Sequence, residues 1–286
     1  MKAWQKGILI ALAVLVWGGG LPARAAMPED VRERLSERQL ANAEMMALLW
    51  MRTAAEYRAL CYQGYNMALA AVDRALANPR RSGKPLAIVL DCDETVTDNT
   101  PAMARSAADG NGRYTSLWWR DTVHAAESGA MPGATEFLQK VHQKGVAIFY
   151  VTNRYSAVNY DATVENLKAL GFPSVDREHL LLMEDTKTSD KQPRFDAIAA
   201  DYDVVVYMGD NAGDLPLGTK GMNLKARNAA IDAAKDDFGT LYVVFPNPAY
   251  GAWISALAKD YLTMDPGDRS DFYRANLLRG IPAKDE

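Results

Sequence analysis

The sequence predicts an α/β protein: a mainly parallel sheet flanked by helices, with helices ahead of it and a small helical cap inserted after the first strand. Three observations predict it. Short runs that are apolar on both faces recur at 86–90, 146–151, 180–183, 204–208 and 241–245, the pattern of strands covered on both sides of a parallel sheet. Helical patterns at 134–144, 156–170 and 193–201 separate those runs, as crossover connections between parallel strands require. Polar and acidic residues gather where the runs stop. In such sheets ligands bind beyond the carboxyl ends of the strands.

Taken in order, residues 1–25 read as a secretory signal peptide. Lys2 and Lys6 precede an apolar stretch from Gly7 to Trp17, and Ala23-Arg24-Ala25 offers a small-x-small cleavage site. The stretch is about eleven residues where a membrane span needs about twenty, so no stable membrane anchor is expected. No cysteine adjoins the cleavage site, which argues against a lipoprotein. The expectation is an exported protein, periplasmic or secreted. Residues 26–80 form an N-terminal helical segment, with two helices between Pro28 and Ala77 rich in good helix formers. Its Met45, Met46, Trp50, Met51 and Tyr57 are expected to pack on the core. The turn-rich stretch 78–85 opens the core unit, 81–286, within which 98–131 is the cap insertion.

A chain of 286 residues with 49% hydrophobic content can bury a large core. Removing residues 1–25 takes away three positive charges and no acids, moving the formal net charge from -4 to -7. The mature chain has no basic stripe, which excludes a nucleic acid polymer as a partner. Cys61 and Cys92 are expected to be buried and unpaired. His124, His142 and His179 lack metal-ligand spacing. Cys92 is no phosphatase nucleophile, because 94–98 contains no arginine and cannot form a phosphate-cradling loop.

The pentad Asp91-Cys92-Asp93-Glu94-Thr95 sets two carboxylates two residues apart where the first strand stops. Beyond the strand end the backbone turns, so one acid can face a phosphorus atom while the other reaches a leaving oxygen, an arrangement suited to covalent phosphoryl transfer. Alone, such a stretch is as often a solvated turn or a helix N-cap. Its company decides. Thr152 and Asn153 follow the second strand, Asp210 and Asp214 follow the fourth, and Lys191 stands between the third strand and a helix. All are expected to converge. Lys187 competes with Lys191 for the phosphate, and the spacing to Arg194-Phe195 favours Lys191.

These motifs in this order resemble the haloacid dehalogenase (HAD) superfamily, and more narrowly the class C acid phosphatases and 5'-nucleotidases of the outer-membrane lipoprotein e type. The resemblance runs through 59–66, 89–99, 131–134, 150–154, 207–214 and 246–251. It departs at Cys92, Thr97, Ala102, Ala212 and Leu215, none of which removes a needed acid. It implies a HAD-like Rossmannoid fold and an exported acid phosphatase acting on phosphomonoesters, 5'-nucleotides and nicotinamide mononucleotide among them. Asp91 would be the nucleophile that forms an aspartyl-phosphate, and Asp93 the acid and base. Mg2+ would sit on Asp91, the backbone carbonyl of Asp93 and Asp210, with Asp214 either a further ligand or one step behind them, as hard oxygen ligands suit it. Thr152, the Asn153 amide and Lys191 would hold the phosphoryl oxygens, with Trp119 and Tyr250 sandwiching a flat leaving group. A homodimer is also implied. A phosphotransferase of the same fold and a non-catalytic exported nucleotide- or haem-binding protein are the rivals, the second disfavoured because all four acids stand.

Overall fold

The computed structural model describes residues 37–78, 83–111, 114–258, 260–277 and 279; the stretch expected as a signal peptide, the start of the expected helical segment and part of the 78–85 stretch lie outside them. Five parallel strands form the sheet: β1 (Leu86–Leu90), β4 (Ala147–Tyr155), β5 (Leu180–Met183), β6 (Asp203–Gly209) and β7 (Tyr242–Val244). They lie in the order β5-β4-β1-β6-β7. β1 is central because its residues face packed layers on both sides. Ile88 and Leu90 belong to one hydrophobic cluster, and Ala87 and Val89 to the other. Each such buried Ile or Leu contributes about 1.5–3 kcal/mol.

On one face α2 (Ala55–Ala77) and α5 (Ala134–Gln143) supply Cys61, Tyr65, Val72, Phe137 and Val141, and α6 (Ser156–Ala169) supplies Leu167. On the other, α7 (Gln192–Asp201) supplies Phe195 and Ile198. Among the described residues the N-terminal segment is two helices, α1 (Glu37–Thr53) and α2, broken at Ala54 by an extended backbone. Met51 and Tyr57 are buried as packing residues, whereas Met46 points to solvent. Both cysteines are buried and free. Among the described residues no helix is long and apolar enough to cross a membrane.

The segment between β1 and β4 carries an inserted helical unit. It leaves β1 through a two-residue strand, β2 (Thr97–Asp98), passes through α3 (Thr100–Ala108) and α4 (Ser116–His124), and returns through β3 (Gly129–Ala130), which pairs antiparallel with β2. This small ribbon ties both ends of the insertion beside the first strand. The remaining described helices are α8 (Leu224–Ala233), α9 (Ala252–Leu257) and α10 (Pro266–Leu277).

The boundary that bears on the site differs from expectation. β4 continues past Val151 to Tyr155, with a register shift against β5 between those two residues. The polar Thr152-Asn153-Arg154 stretch is therefore an irregular part of the strand rather than a loop beyond it.

Candidate active site

The strand order reverses between β1 and β6, the point at which open α/β sheets bind ligands. There the Asp91 N–H donates to the Met208 carbonyl at 3.0 Å, which clamps the end of β1 against β6. A tight turn follows: the Cys92 carbonyl accepts from the N–H groups of Thr95, Val96 and Thr97, and Cys92 itself faces the core. The turn throws the Asp91 and Asp93 side chains to different partners.

Asp91 meets the second pair of acids. One carboxylate oxygen from each of Asp91, Asp210 and Asp214 lies within 4.8 Å of the others. Lys191, buried just ahead of α7, places its Nζ 2.7 Å from both Asp91 Oδ1 and Asp214 Oδ1. Toward Asp91 Oδ1 it acts as a charge partner outside hydrogen-bond alignment. Lys187 is exposed in the preceding loop. Asp214 completes a capping box with Asn211, its Oδ2 accepting the Asn211 N–H at 2.9 Å. Asp214 is thus both a turn-capping residue and a member of the acidic cluster. Asp210 Oδ2 accepts from Asn247 Nδ2 at 2.7 Å. The close approach of Asp214 to β6 depends on Gly209, where a Cβ would lie 2.1 Å from that of Asp214.

The electrostatics follow from crowding. Burial, with Asp214 and Asp93 adding repulsion against the pull of Lys191, pushes the Asp91 carboxyl up to about 7. Burial and the charges of Asp214 and Asp91 hold Asp210 well above the usual carboxylate range. Burial works against the Lys191 ammonium, yet Asp214 and Asp91 outweigh it and raise its pKa. Three converging carboxylates against one ammonium form a donor set of hard oxygens short of positive charge. That set fits a divalent metal. The Asp93 side chain is not among those three.

Asp93 turns instead to Arg154. The guanidinium donates from Nη2 at 2.6 Å and from Nε at 3.2 Å, and Asn99 Nδ2 adds a bond at 2.9 Å. Thr152 is buried, and its Oγ1 accepts the Arg154 N–H at 3.2 Å, leaving its own O–H to donate. The Asn153 side chain is tied by Ser189 and Arg194, and Arg194 also donates to the Thr152 carbonyl at 2.6 Å. Above these groups a pocket of about 510 Å³ is lined by Tyr114, Trp118, Trp119 and Tyr250, as well as by all four acids. Trp253, three residues after Tyr250, is exposed and lies outside the lining, its Nε1–H donating to the Tyr250 carbonyl.

Comparison with known proteins fits this geometry. Residues 26–253 match the model of the HAD superfamily, subfamily IIIB (acid phosphatase). The structure of the class C acid phosphatase from Bacillus anthracis superposes with a TM-score of 0.78 at 38% identity, covering 86% of this chain and 99% of that one. The chain belongs to the acid phosphatases of HAD subfamily IIIB. A second structure of the Bacillus anthracis enzyme, with tungstate bound, matches with the same TM-score and coverage at 37% identity. This acid phosphatase hydrolyses phosphomonoesters and, as a HAD enzyme, uses a divalent metal.

Four residues that bind the acids or fix their neighbours carry no role in the sequence reading. Arg154 and Asn99 hold Asp93, and Asn247 holds Asp210. Glu94 is wholly buried, its carboxyl pushed up to about 8 by burial and by Asp93, and it bonds the Tyr250 hydroxyl and the Asn99 N–H. The available signal was adjacency: Glu94 and Arg154 directly follow motif residues. Which acid Arg154 reaches is a matter of folding, since it lies 61 residues from Asp93.

Proposed function

We propose that this acid phosphatase is an exported, Mg2+-dependent enzyme that hydrolyses 5'-nucleotides, nicotinamide mononucleotide included, through an aspartyl-phosphate. The observation that carries the reading is the placement of Asp91 in the acid and lysine cluster at the floor of a pocket whose walls include Tyr114, Trp118, Trp119 and Tyr250. Rings of this kind stack on a flat leaving group, and the floor, once a divalent cation offsets its carboxylates, suits a compact oxyanion. The tungstate held by the Bacillus anthracis relative is an anion of that class. Export rests on the composition of residues 1–25. A homodimer belongs to the same reading, supported by the exposed Met46 and Leu49 of α1 and Leu60 and Met67 of α2.

The residues divide the work. Asp91 attacks phosphorus as the bond to the leaving oxygen breaks, and Asp93, oriented by Arg154 and Asn99, gives that oxygen its proton. Asp93 then takes a proton from water, whose oxygen attacks the aspartyl-phosphate and releases phosphate and the Asp91 carboxylate. Lys191, the Thr152 hydroxyl and the Asn153 amide bear on the phosphoryl oxygens. Asp91, Asp210, Asp214 and the Asp93 carbonyl would hold the divalent cation, whose positive charge would let an anionic nucleophile approach an anionic phosphate.

A screen of nucleoside monophosphates, nicotinamide mononucleotide, sugar phosphates, glycerol phosphate and phosphotyrosine, with and without Mg2+, tests the reading. Nucleotides are expected to show the highest kcat/KM, and Asp91→Asn to lose at least about a thousandfold of kcat. Equal kcat/KM for glycerol phosphate would remove the stacking role, and unchanged turnover in Asp91→Asn would remove the covalent mechanism.

A further inference from the structure

Glu94 takes no part in the chemistry described above, yet it is built into the site at a cost. Its side chain is 0% exposed, and its backbone φ of 52° lies in the left-handed region that residues with a side chain rarely adopt. Such a conformation persists where the surroundings over-determine it. Here they do. The Glu94 N–H donates to the Thr97 carbonyl at 2.9 Å, Oε1 accepts the Asn99 N–H at 2.9 Å, and Oε2 accepts the Tyr250 hydroxyl.

Each of those partners leads to a different part of the site. Asn99 begins α3 at the root of the cap; its Nδ2 holds Asp93 Oδ1 at 2.9 Å, and its Oδ1 accepts from the Ser128 hydroxyl at 2.6 Å, near where the cap returns. Tyr250 belongs to the loop after β7, and its backbone N–H donates to Asn247 Oδ1 at 3.3 Å, while Asn247 Nδ2 holds Asp210. Tyr250 is thereby tied at its backbone to the acidic cluster and at its hydroxyl to the cap root. Gly251 beside it has φ 140° and no room for a side chain, since a Cβ there would lie 2.7 Å from Asn211 Nδ2.

We infer that Glu94 is a positioning residue that sets the Tyr250 ring in register with Asp93, so that the wall receiving the leaving group and the acid that protonates it are held by one carboxyl. This rests on the proposed role of Tyr250 as a leaving-group wall. Both partners of Glu94 are donors, an N–H and an O–H. A carboxylate offers an acceptor to each, whereas an amide offers one acceptor and one N–H2 group.

The test compares kcat/KM for a nucleoside 5'-monophosphate with that for glycerol phosphate in the full-length enzyme. Tyr250→Ala removes the ring and is expected to collapse the preference for the nucleotide. Tyr250→Phe keeps the ring but not the hydroxyl, and Glu94→Ala removes the carboxyl. Each is expected to lower the preference by about tenfold, and the double variant to do no more than the greater of the two, the non-additivity of groups acting as one unit. Glu94→Ala is also expected to lower kcat on both substrates through Asn99 and Asp93, with Glu94→Gln recovering most of it. A preference that falls in Tyr250→Ala but not in Tyr250→Phe or Glu94→Ala would overturn the inference and leave the wall intact. A wild-type preference in Tyr250→Ala would overturn the wall and the inference together. Should Glu94→Ala fail to fold, Tyr250→Phe, which only removes a hydroxyl, decides alone.

Discussion

At the scale of the residue, the cluster turns on one ammonium. Lys191 stands 2.7 Å from both Asp91 and Asp214, buried beside an Asp91 carboxyl that burial already holds above its ordinary range. Lys191→Ala would leave two buried carboxylates without that partner, so kcat is expected to fall by about a hundredfold or more. Lys187→Ala, at an exposed position, is expected to stay near wild type in steady-state kinetics; the reverse outcome would move the phosphate contact to Lys187. The acids of the site were legible because strand-end acids at 91, 93, 210 and 214 have few other reasons to accumulate. Their immediate partners were not. Arg154 reaches Asp93 and Asn247 reaches Asp210 across 61 and 37 residues, and no local spacing encodes those pairings.

At the scale of the element, strands stood out because a strand covered on both faces must be apolar throughout. β1 and β5 match their expected bounds, and β6 extends by one residue at each end. β4 was read short at Val151 because hydrophobicity stops there while the strand continues through a register shift. The end of β6 depends on a missing side chain. Gly209→Ala would drive a methyl group into the Asp214 side chain at 2.1 Å. The turn that carries Asp214 must then move, so a loss of about 3 kcal/mol in stability is expected by thermal unfolding, with activity falling in parallel.

At the scale of the whole molecule, the pocket is closed by elements far apart in the chain. Glu44 of α1, Met103 of α3 and Arg269 of α10 line it together with the strand-end residues. Burial raises the Glu44 carboxyl from 4.5 to about 7, with the charge of Arg269 pulling the other way. The folded state therefore binds a proton that the unfolded chain has released between those values, and its stability falls as pH rises through that window. Relative to wild type, Glu44→Gln is expected to flatten the dependence of Tm on pH between about 4.5 and 7, with acid pH favouring the wild-type fold. A Tm profile identical in both proteins would remove Glu44 from the effect.

The parallel sheet and the acids that meet at the strand ends were readable from the chain alone. Each of these follows from local hydrophobic pattern and from the rule that such sheets bind ligands at one edge. Which charge faces which emerges from folding: Arg154 on Asp93, Lys191 between Asp91 and Asp214, and Glu94 spanning the cap root and Tyr250. Those pairings are contacts between distant segments, set by how the cap and the late loop fold back over the sheet. The fold assigned the two acids of the 91–95 pentad to different partners.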